Sequence, residues 1–210
     1  MKRQIPWYIA IGASGGDGLD DIRTLLSALQ TPLPGIVLVV LHRLWDAPSN
    51  LAAILGRACP HPVRVAAEGE HLEVGCVYIG EPSQHLTLIA NNIGQIVEDA
   101  AGHYRNRTVD LLFASVARHG REHMIGVVLS GSLDDGSRGL AAIHQAGGLT
   151  MVLLPDPVAS HRGMPENAIA FDGPIDHIGS PREIAAAIEV AMNGGWDTES
   201  WQVSPHAAGS

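Results

Sequence analysis

The N-terminal part of the sequence joins an apolar run to a glycine-rich turn and then to a helical pattern. Residues 7–11 are apolar or aromatic and include two isoleucines, which is typical of a short buried strand. After the turn at residues 12–18, leucine and isoleucine recur at three- and four-residue spacings as far as Leu29, which predicts a helix. This order of strand, tight turn and helix is the unit from which α/β folds are built.

The turn carries one serine, Ser14, between glycines. Residues 12–16 fit the G-x-S-x-G pattern of a nucleophile elbow, in the strand–turn–helix context that this pattern requires. Backbone amides at the start of the helix would face a negative charge that develops on a substrate. Two other interpretations stay open, namely tight packing of the turn or phosphate binding without chemistry on the serine. Neither G-x-G-x-x-G nor G-x-x-x-x-G-K-[ST] is present in the turn.

Composition and charge limit the functions that this chain can have. The chain has 210 residues and a net charge of −9, which argues against nucleic acid or an anionic membrane surface as the main partner. The longest apolar run, residues 36–41, is far shorter than the roughly 20 residues of a membrane helix, so we expect no membrane insertion. No signal peptide is evident, and Cys59 and Cys76 lack C-x-x-C spacing. We expect a cytoplasmic protein with one domain over residues 1–194 and a polar tail over 195–210.

Strand and helix patterns alternate at both ends of the chain. This predicts a doubly wound, mostly parallel sheet with helices on both faces. Three short apolar segments in the middle, residues 63–65, 77–79 and 86–89, are separated by turn residues. We expect these segments to form a short antiparallel extension.

Polar side chains follow three predicted strands of this sheet. Ser14 follows the first strand, His42 ends the strand at residues 35–41, and Asp134 and Asp135 follow the strand at 125–129. Because the carboxyl ends of parallel strands meet at one edge, where such sheets bind ligands, these side chains are candidates for one site. A surface histidine and acidic helix caps are the alternatives.

The eleven histidines do not indicate a metal site. His119 and His123 are four residues apart, but Gly120 breaks the helix between them and no acidic partner has ligand spacing. We therefore predict neither a metal nor a cofactor.

Over roughly residues 7–192 the sequence resembles the CheB-type chemotaxis methylesterase catalytic domain. The family's motifs are matched in order, with G-A-S-T-G-G at residues 12–17, the strand-end histidine at 41–44, the G-E…G-x-x-Y-I…H run at 69–85, S-V-D-x-L-F-x-S-V-A at 108–117, G-V-x-L-T-G-M-G-x-D-G at 126–136 and shorter matches from 139 to 165. No segment matches the family's N-terminal receiver domain, so the resemblance is to a stand-alone catalytic domain.

The resemblance implies a serine hydrolase of chemotaxis signal transduction that removes methyl esters from glutamates of chemoreceptors. Some members of the family also deamidate glutamine. The family's Ser, His, Asp order implies the triad Ser14, His42 and Asp135, and the mechanism then requires oxyanion donors, for which we choose the backbone amides of Gly15 and Ser132. The implied partner is the cytoplasmic domain of a methylated chemoreceptor or a similar signalling protein.

Three departures from the family pattern lie close to these residues. Asp17 replaces a glycine of the nucleophile turn, Arg43 replaces the methionine after the histidine, and Ser132 replaces the methionine beside the oxyanion donors. They leave an alternative open: a catalytically weak interaction module of the same fold that binds a receptor or another signalling protein.

Overall fold

A computed structural model describes residues 5–43, 49–99, 101–120, 123–132, 134–157, 162–171 and 173–195. The strands are β1 (Trp7–Ser14), β2 (Gly35–His42), β3 (Val63–Val65), β4 (Val77–Ile79), β5 (Gln84–Ile89), β6 (Ile93–Glu98), β7 (Met124–Val128), β8 (Leu149–Leu153) and β9 (His177–Gly179). The helices are α1 (Gly15–Ala28), α2 (Leu51–Ala58), α3 (Thr108–His119), α4 (Ser137–Gln145), α5 (Met164–Ala170) and α6 (Pro181–Met192). The predicted tail from residue 196 onward lies outside the described residues, and its separation from the domain stays a prediction.

Seven strands form one sheet in the order β3-β4-β2-β1-β7-β8-β9, and every pair in it is parallel. Strands β5 and β6 form a separate antiparallel pair. The prediction of a doubly wound, mostly parallel sheet with a short antiparallel extension is therefore confirmed. From β1 the chain first builds outward through β2 and later returns to the other side of β1 with β7. The crevice at this reversal of strand order is where open α/β sheets bind ligands.

The middle of the chain differs from the expectation in one respect. Strands β3 and β4 pair in parallel within the main sheet, so their assignment to the antiparallel extension was wrong. Strands of three residues are too short to show the alternation that separates a half-exposed antiparallel strand from a buried parallel one. All three residues of β4 are buried, as an interior parallel strand requires. The extension consists of β5 with β6, and β6 was not predicted.

Two apolar layers cover the faces of the sheet. Odd-numbered side chains of β1 and β2 pack with α1, α2 and α6, whereas even-numbered ones pack with α3 and α4. This alternation follows from the two-residue period of a strand. Ser14 and His42 are both even-numbered, so they share the face that packs on α3 and α4. No helix within the described ranges is long and apolar enough to cross a membrane.

Candidate active site

Ser14 and His42 are neighbours across two adjacent strands. They are the last residues of β1 and β2, and they are paired directly in the parallel register. Because paired positions of a parallel ladder project to the same face, both side chains lie on the α3 and α4 side, at the carboxyl edge of the sheet. The sequence-based expectation that these two residues meet at one edge agrees with this register.

Asp135 lies in the turn between β7 and α4 and reaches the same point. Its Oδ2 lies 2.6 Å from Nε2 of His42, and its side chain is fully buried. Both carboxylate oxygens also accept backbone N–H groups at the start of α3, Oδ2 from Val109 and Oδ1 from Asp110, each at 2.8 Å. Asp134, the other candidate, is exposed. The structure therefore brings Asp135, and not its neighbour, to the histidine.

A second aspartate, Asp110, holds the turn that carries Asp135. Its Oδ1 accepts the backbone N–H groups of Gly136 at 3.0 Å and Gly139 at 2.7 Å, at the start of α4. Asp135 thus binds amides at the start of α3, and Asp110, which lies in α3, binds amides at the start of α4. These amides have no acceptor within their own helices. Burial raises the pKa of Asp110, and the nearby carboxylate of Asp135 adds to this. Sequence reasoning gave Asp110 no role, although a first-turn aspartate is a signal for amide capping.

A close approach of α3 to β1 makes this geometry possible. A methyl group at Gly12 would lie 2.2 Å from Cγ1 of Val109, so only glycine lets the first turn of α3 pack so near the end of β1. The first glycine of the G-x-S-x-G pattern, Gly12, is therefore required by packing against α3. Its consequence is that the amide of Val109 sits within reach of Asp135.

The two ring nitrogens of His42 have different surroundings. Nε2 contacts Asp135, which leaves Nδ1, the ring nitrogen nearer to the backbone of His42 itself, outside that contact. A serine side chain is short, so the ring nitrogen closer to the backbone is the one suited to a serine on the next strand. In the described part of the chain no hydrogen bond yet joins the Ser14 hydroxyl to the ring. Catalytic hydrogen bonds are often long in the absence of substrate.

The turn after Ser14 is tightly fixed on one side and open on the other. The backbone N–H of Ser14 donates to the carbonyl of Ser130 at 2.8 Å, and Gly15 adopts a left-handed φ of +72°. A methyl group at Gly131 would lie 2.8 Å from Cβ of Ser14 and 2.2 Å from Sδ of Met164. By contrast, added methyl groups at Gly15 would meet nothing within 4 Å. The hydroxyl-bearing turn is thus held by the loop after β7 and faces open space.

That open space is a cleft of about 570 Å³ at the ends of β1, β7 and β8. Ser14, Gly15 and Ser132 line it, which places both predicted oxyanion residues beside the serine. The first turn of α1 supplies backbone N–H groups that lack acceptors within the helix. The charged residues that line the cleft are Asp17, Asp156, Arg162 and Glu166.

His42 does not line this cleft; it lines a separate, smaller recess of about 40 Å³ toward β4 and β5. His85 lines the same recess and is 3% exposed. Its Nε2 lies 3.5 Å from Oδ2 of Asp99. Burial lowers the pKa of His85, although Asp99 opposes this effect.

Asp99 is itself held by the backbone. Its two oxygens accept the N–H groups of His103 at 2.8 Å and Tyr104 at 2.6 Å. Burial alone would raise the pKa of Asp99, but these amides and the adjacent His85 outweigh burial and lower it. Sequence reasoning missed this buried carboxylate because its partner His85 is brought to it only by the pairing of β5 with β6.

The described residues contain no group of three or more histidine, cysteine, aspartate or glutamate side chains arranged to hold a metal ion. The polar side chains that do meet are those of His42 and Asp135, and Ser14 is paired with His42 in the strand register.

These features define the class: a doubly wound α/β protein in which a histidine–aspartate contact lies next to Ser14 in the strand register, where the strand order reverses. The chain belongs to the CheB methylesterase family, because the sequence model of that family matches residues 9–188. The prediction of this family from sequence motifs is confirmed.

The names of the curated relatives also contain the word methylesterase. The protein-glutamate methylesterase/protein-glutamine glutaminase 2 of Dechloromonas aromatica is 31% identical over 90% of this chain and 52% of its own length. Its namesake from Burkholderia thailandensis is 34% identical over 88% of this chain and 52% of its own length. The chain thus spans about half the length of the curated relatives it matches.

A solved structure supports the fold. The crystal structure of the Thermotoga maritima CheB methylesterase catalytic domain superposes with a TM-score of 0.76 at 24% identity, covering 87% of this chain and 97% of that one. At 24% identity, this structural similarity establishes the fold alone.

Proposed function

We propose that this chain is a protein-glutamate methylesterase that hydrolyses methyl esters on chemoreceptor glutamates, with Ser14, His42 and Asp135 as its catalytic triad. The observation that carries the proposal is the 2.6 Å contact between His42 and the buried Asp135, on a histidine paired in register with Ser14. The names of the curated relatives support the same reaction. The proposed partner is the cytoplasmic domain of a methylated chemoreceptor.

The proposed first half-reaction forms an acyl-enzyme. Nδ1 of His42 accepts the proton of the Ser14 hydroxyl while Oγ attacks the ester carbonyl carbon. The carbonyl oxygen becomes an oxyanion that the backbone N–H groups of Gly15 and Ser132 stabilise. When the tetrahedral intermediate collapses, the C–O bond to the methoxy group breaks and the histidine proton passes to the departing methanol.

Water completes the cycle. His42 accepts a proton from a water molecule that attacks the acyl carbon. When the resulting intermediate collapses, the bond from the acyl carbon to Oγ of Ser14 breaks, His42 returns its proton to Oγ, and the free glutamate side chain is released. Throughout, Asp135 orients the imidazole and stabilises its positive charge. Because Asp135 also accepts two amides, its carboxylate is fixed before substrate arrives. With glutamine in place of the ester, the same steps would release ammonia.

A catalytically weak interaction module is the second candidate. The exposed carboxylate of Asp17 on the rim of the cleft favours it, because this charge replaces a glycine and would oppose an oxyanion. Both candidates require the fold, so only a measurement of turnover separates them.

The decisive measurement is methanol release from a peptide that carries a glutamate γ-methyl ester. We expect the wild-type chain to release methanol and Ser14→Ala to be slower by about 10⁴-fold or more. The matched control is Ser27→Ala, which removes a hydroxyl near the other end of the same helix, where it donates to the Thr24 carbonyl at 2.8 Å. Equal, slow hydrolysis by wild type and Ser14→Ala would favour the interaction module.

A further inference from the structure

The loop after β7, residues 130–132, ends on one of the two proposed oxyanion donors and is bound to two other elements through its carbonyl groups. The carbonyl of Ser130 accepts the backbone N–H of Ser14, at the end of β1, at 2.8 Å. The carbonyl of Gly131 accepts the backbone N–H of Met164, at the start of α5, at 2.7 Å. Both contacts join backbone groups, so they place the loop without the help of a side chain.

A side chain of α1 holds the same loop. Oδ2 of Asp21 accepts the backbone N–H of Ser130 at 3.2 Å, so residue 130 is bound at both its N–H and its carbonyl. A methyl group at Gly18 would lie 2.7 Å from the carbonyl oxygen of Ser130 and 2.9 Å from Cβ of Ala13, so only glycine lets the first turn of α1 lie this close to the loop. Asp21 follows three residues after Gly18 and therefore lies on the same face of the helix.

These contacts set the direction of the Ser132 N–H. The carbonyl of Gly131 and the N–H of Ser132 belong to one planar trans peptide unit, in which the two groups point in opposite directions. Because the Gly131 carbonyl points at the N–H of Met164, the Ser132 N–H points away from α5. An oxyanion donor has to lie about 2.7–3.1 Å from the oxygen that it stabilises, and a misplacement of about 1 Å costs about 10²-fold in rate. The orientation of this peptide unit is therefore the property of the loop on which the reaction depends.

Asp21 has no direct access to the substrate. It is half-buried and does not line the cleft that holds Ser14. The N–H that it binds, that of Ser130, lies two residues before the proposed donor. Asp21 can therefore act on the reaction only through the loop.

We propose that Asp21 is a positioning residue of the esterase, which fixes the loop after β7 so that the backbone N–H of Ser132 is aimed at the carbonyl oxygen of the ester. The proposal rests on the esterase function proposed above and on Ser132 as an oxyanion donor. Because such a donor stabilises the oxyanion more than the uncharged ester, the contribution of Asp21 belongs to kcat and not to KM.

The kinetic test is methanol release from the glutamate γ-methyl ester peptide. Asp21→Ala removes the acceptor, so we expect kcat to fall about 3- to 30-fold while KM changes by less than about twofold. Asp21→Asn keeps a side-chain oxygen that can accept the Ser130 N–H, so its kcat should stay within about threefold of wild type. Asp20→Ala is the matched control, since it removes a carboxylate that is 73% exposed and paired with Arg23, and its kcat should be unchanged.

An inhibitor that carries an oxyanion gives a readout that a loss of fold stability would not change. A peptide with a trifluoromethyl ketone in place of the ester adds to Oγ of the serine, whereas a peptide with norleucine at that position resembles only the bound ground state. In Asp21→Ala the ketone should bind about 3- to 30-fold more weakly, and the norleucine peptide as tightly as to wild type. A folded Asp21→Ala variant with wild-type kcat, a loss confined to KM, or an equal loss in Asp21→Asn would overturn the proposal.

Amide hydrogen exchange keeps this result separate from the esterase function. The amides of Ser14 and Met164 donate to the loop, so both report on its movement without losing a partner in the variant itself. In Asp21→Ala we expect these two amides to exchange about tenfold faster than in wild type, and in Asp20→Ala at the wild-type rate. If no ester is hydrolysed but exchange is faster, the esterase assignment fails and Asp21 still fixes the loop. If the ester is hydrolysed and neither exchange nor kcat changes in Asp21→Ala, the esterase stands and the positioning role fails.

Discussion

The two ends of the candidate triad are built in different ways. Asp135 is buried, and its carboxylate binds two amides of α3 and the ring of His42. Ser14 is only half-buried, its hydroxyl has no hydrogen bond in the described structure, and the glycines after it face an open cleft. The acid end is part of the core, whereas the serine end is part of the surface.

The acid end of the site is built to hold Asp135 in a fixed position, and the serine end is built to leave Ser14 accessible to a substrate. The exchange of amide contacts between Asp135 and Asp110 joins α3 to α4, so the acid cannot shift without disturbing two helices. A nucleophile, by comparison, must remain open to a protein substrate. Substitutions at the acid end should therefore affect stability and activity together, while those at the serine end should affect activity alone.

The largest effect that tests this contrast is expected for Asp135→Asn. The amide cannot accept from three donors at once, so we expect a loss of about 2–4 kcal/mol of unfolding free energy. We also expect kcat to fall by about 10⁴-fold, because the imidazole loses its orienting charge. Urea unfolding and methanol release measure the two effects.

Asp134→Asn is the control for this substitution, since it removes the same charge one residue away at an exposed position. Its unfolding free energy should change by no more than about 0.5 kcal/mol. If the two variants are equally stable, the buried end of the site is not the rigid element described above.

A smaller effect is expected where the two ends meet, at Gly131. In Gly131→Ala the new methyl group would collide with Met164 and press on Cβ of Ser14, so buried side chains must shift. We expect a loss of about 1–3 kcal/mol in unfolding free energy and about 10- to 100-fold in kcat/KM, because the serine is displaced.

Gly16→Ala serves as the glycine control for Gly131→Ala, because a methyl group at Gly16 meets nothing within 4 Å. Its unfolding free energy should not fall. A Gly131→Ala variant as stable and active as wild type would mean that the loop after β7 does not hold the serine turn.

The same contrast explains which parts of the site were predictable. Ser14 and His42 could be assigned from sequence because each ends a buried strand, and the two-residue period then fixes the face they share. The choice between Asp134 and Asp135 could not be made from strand patterns, since both follow β7 within one turn. The resemblance favoured Asp135, and the contact with His42 is consistent with it.

Other features depend on contacts between distant segments. The burial of His85 requires β5, β6 and the turn that carries Asp99 to pack over the sheet, which no local pattern reveals. The parallel pairing of β3 and β4 was likewise missed, because three residues carry too little periodicity to show it. Local patterns thus identified the long strands and the residues at their ends, but not what covers them.

The smallest expected effect concerns acid stability and again separates buried from exposed groups. Burial lowers the pKa of both His85 and His177, so their folded-state pKa lies below the ordinary value of about 6.5 that holds in the unfolded chain. Below about pH 6.5 the unfolded state therefore binds more protons than the native state. Unfolding free energy should decrease as the pH falls from 7 toward 5, until the native histidines also protonate.

Urea unfolding at pH 5, 6, 7 and 8 measures this dependence. His85→Gln should make the unfolding free energy less sensitive to pH between 5 and 7, because it removes one group that gains a proton on unfolding. His103→Gln, at a side chain that is 77% exposed and lies beside the same Asp99, should leave the dependence nearly unchanged. Equal slopes in the two variants would show that His85 contributes no acid sensitivity, and the loss would then have to come from His177 or from groups outside the recess.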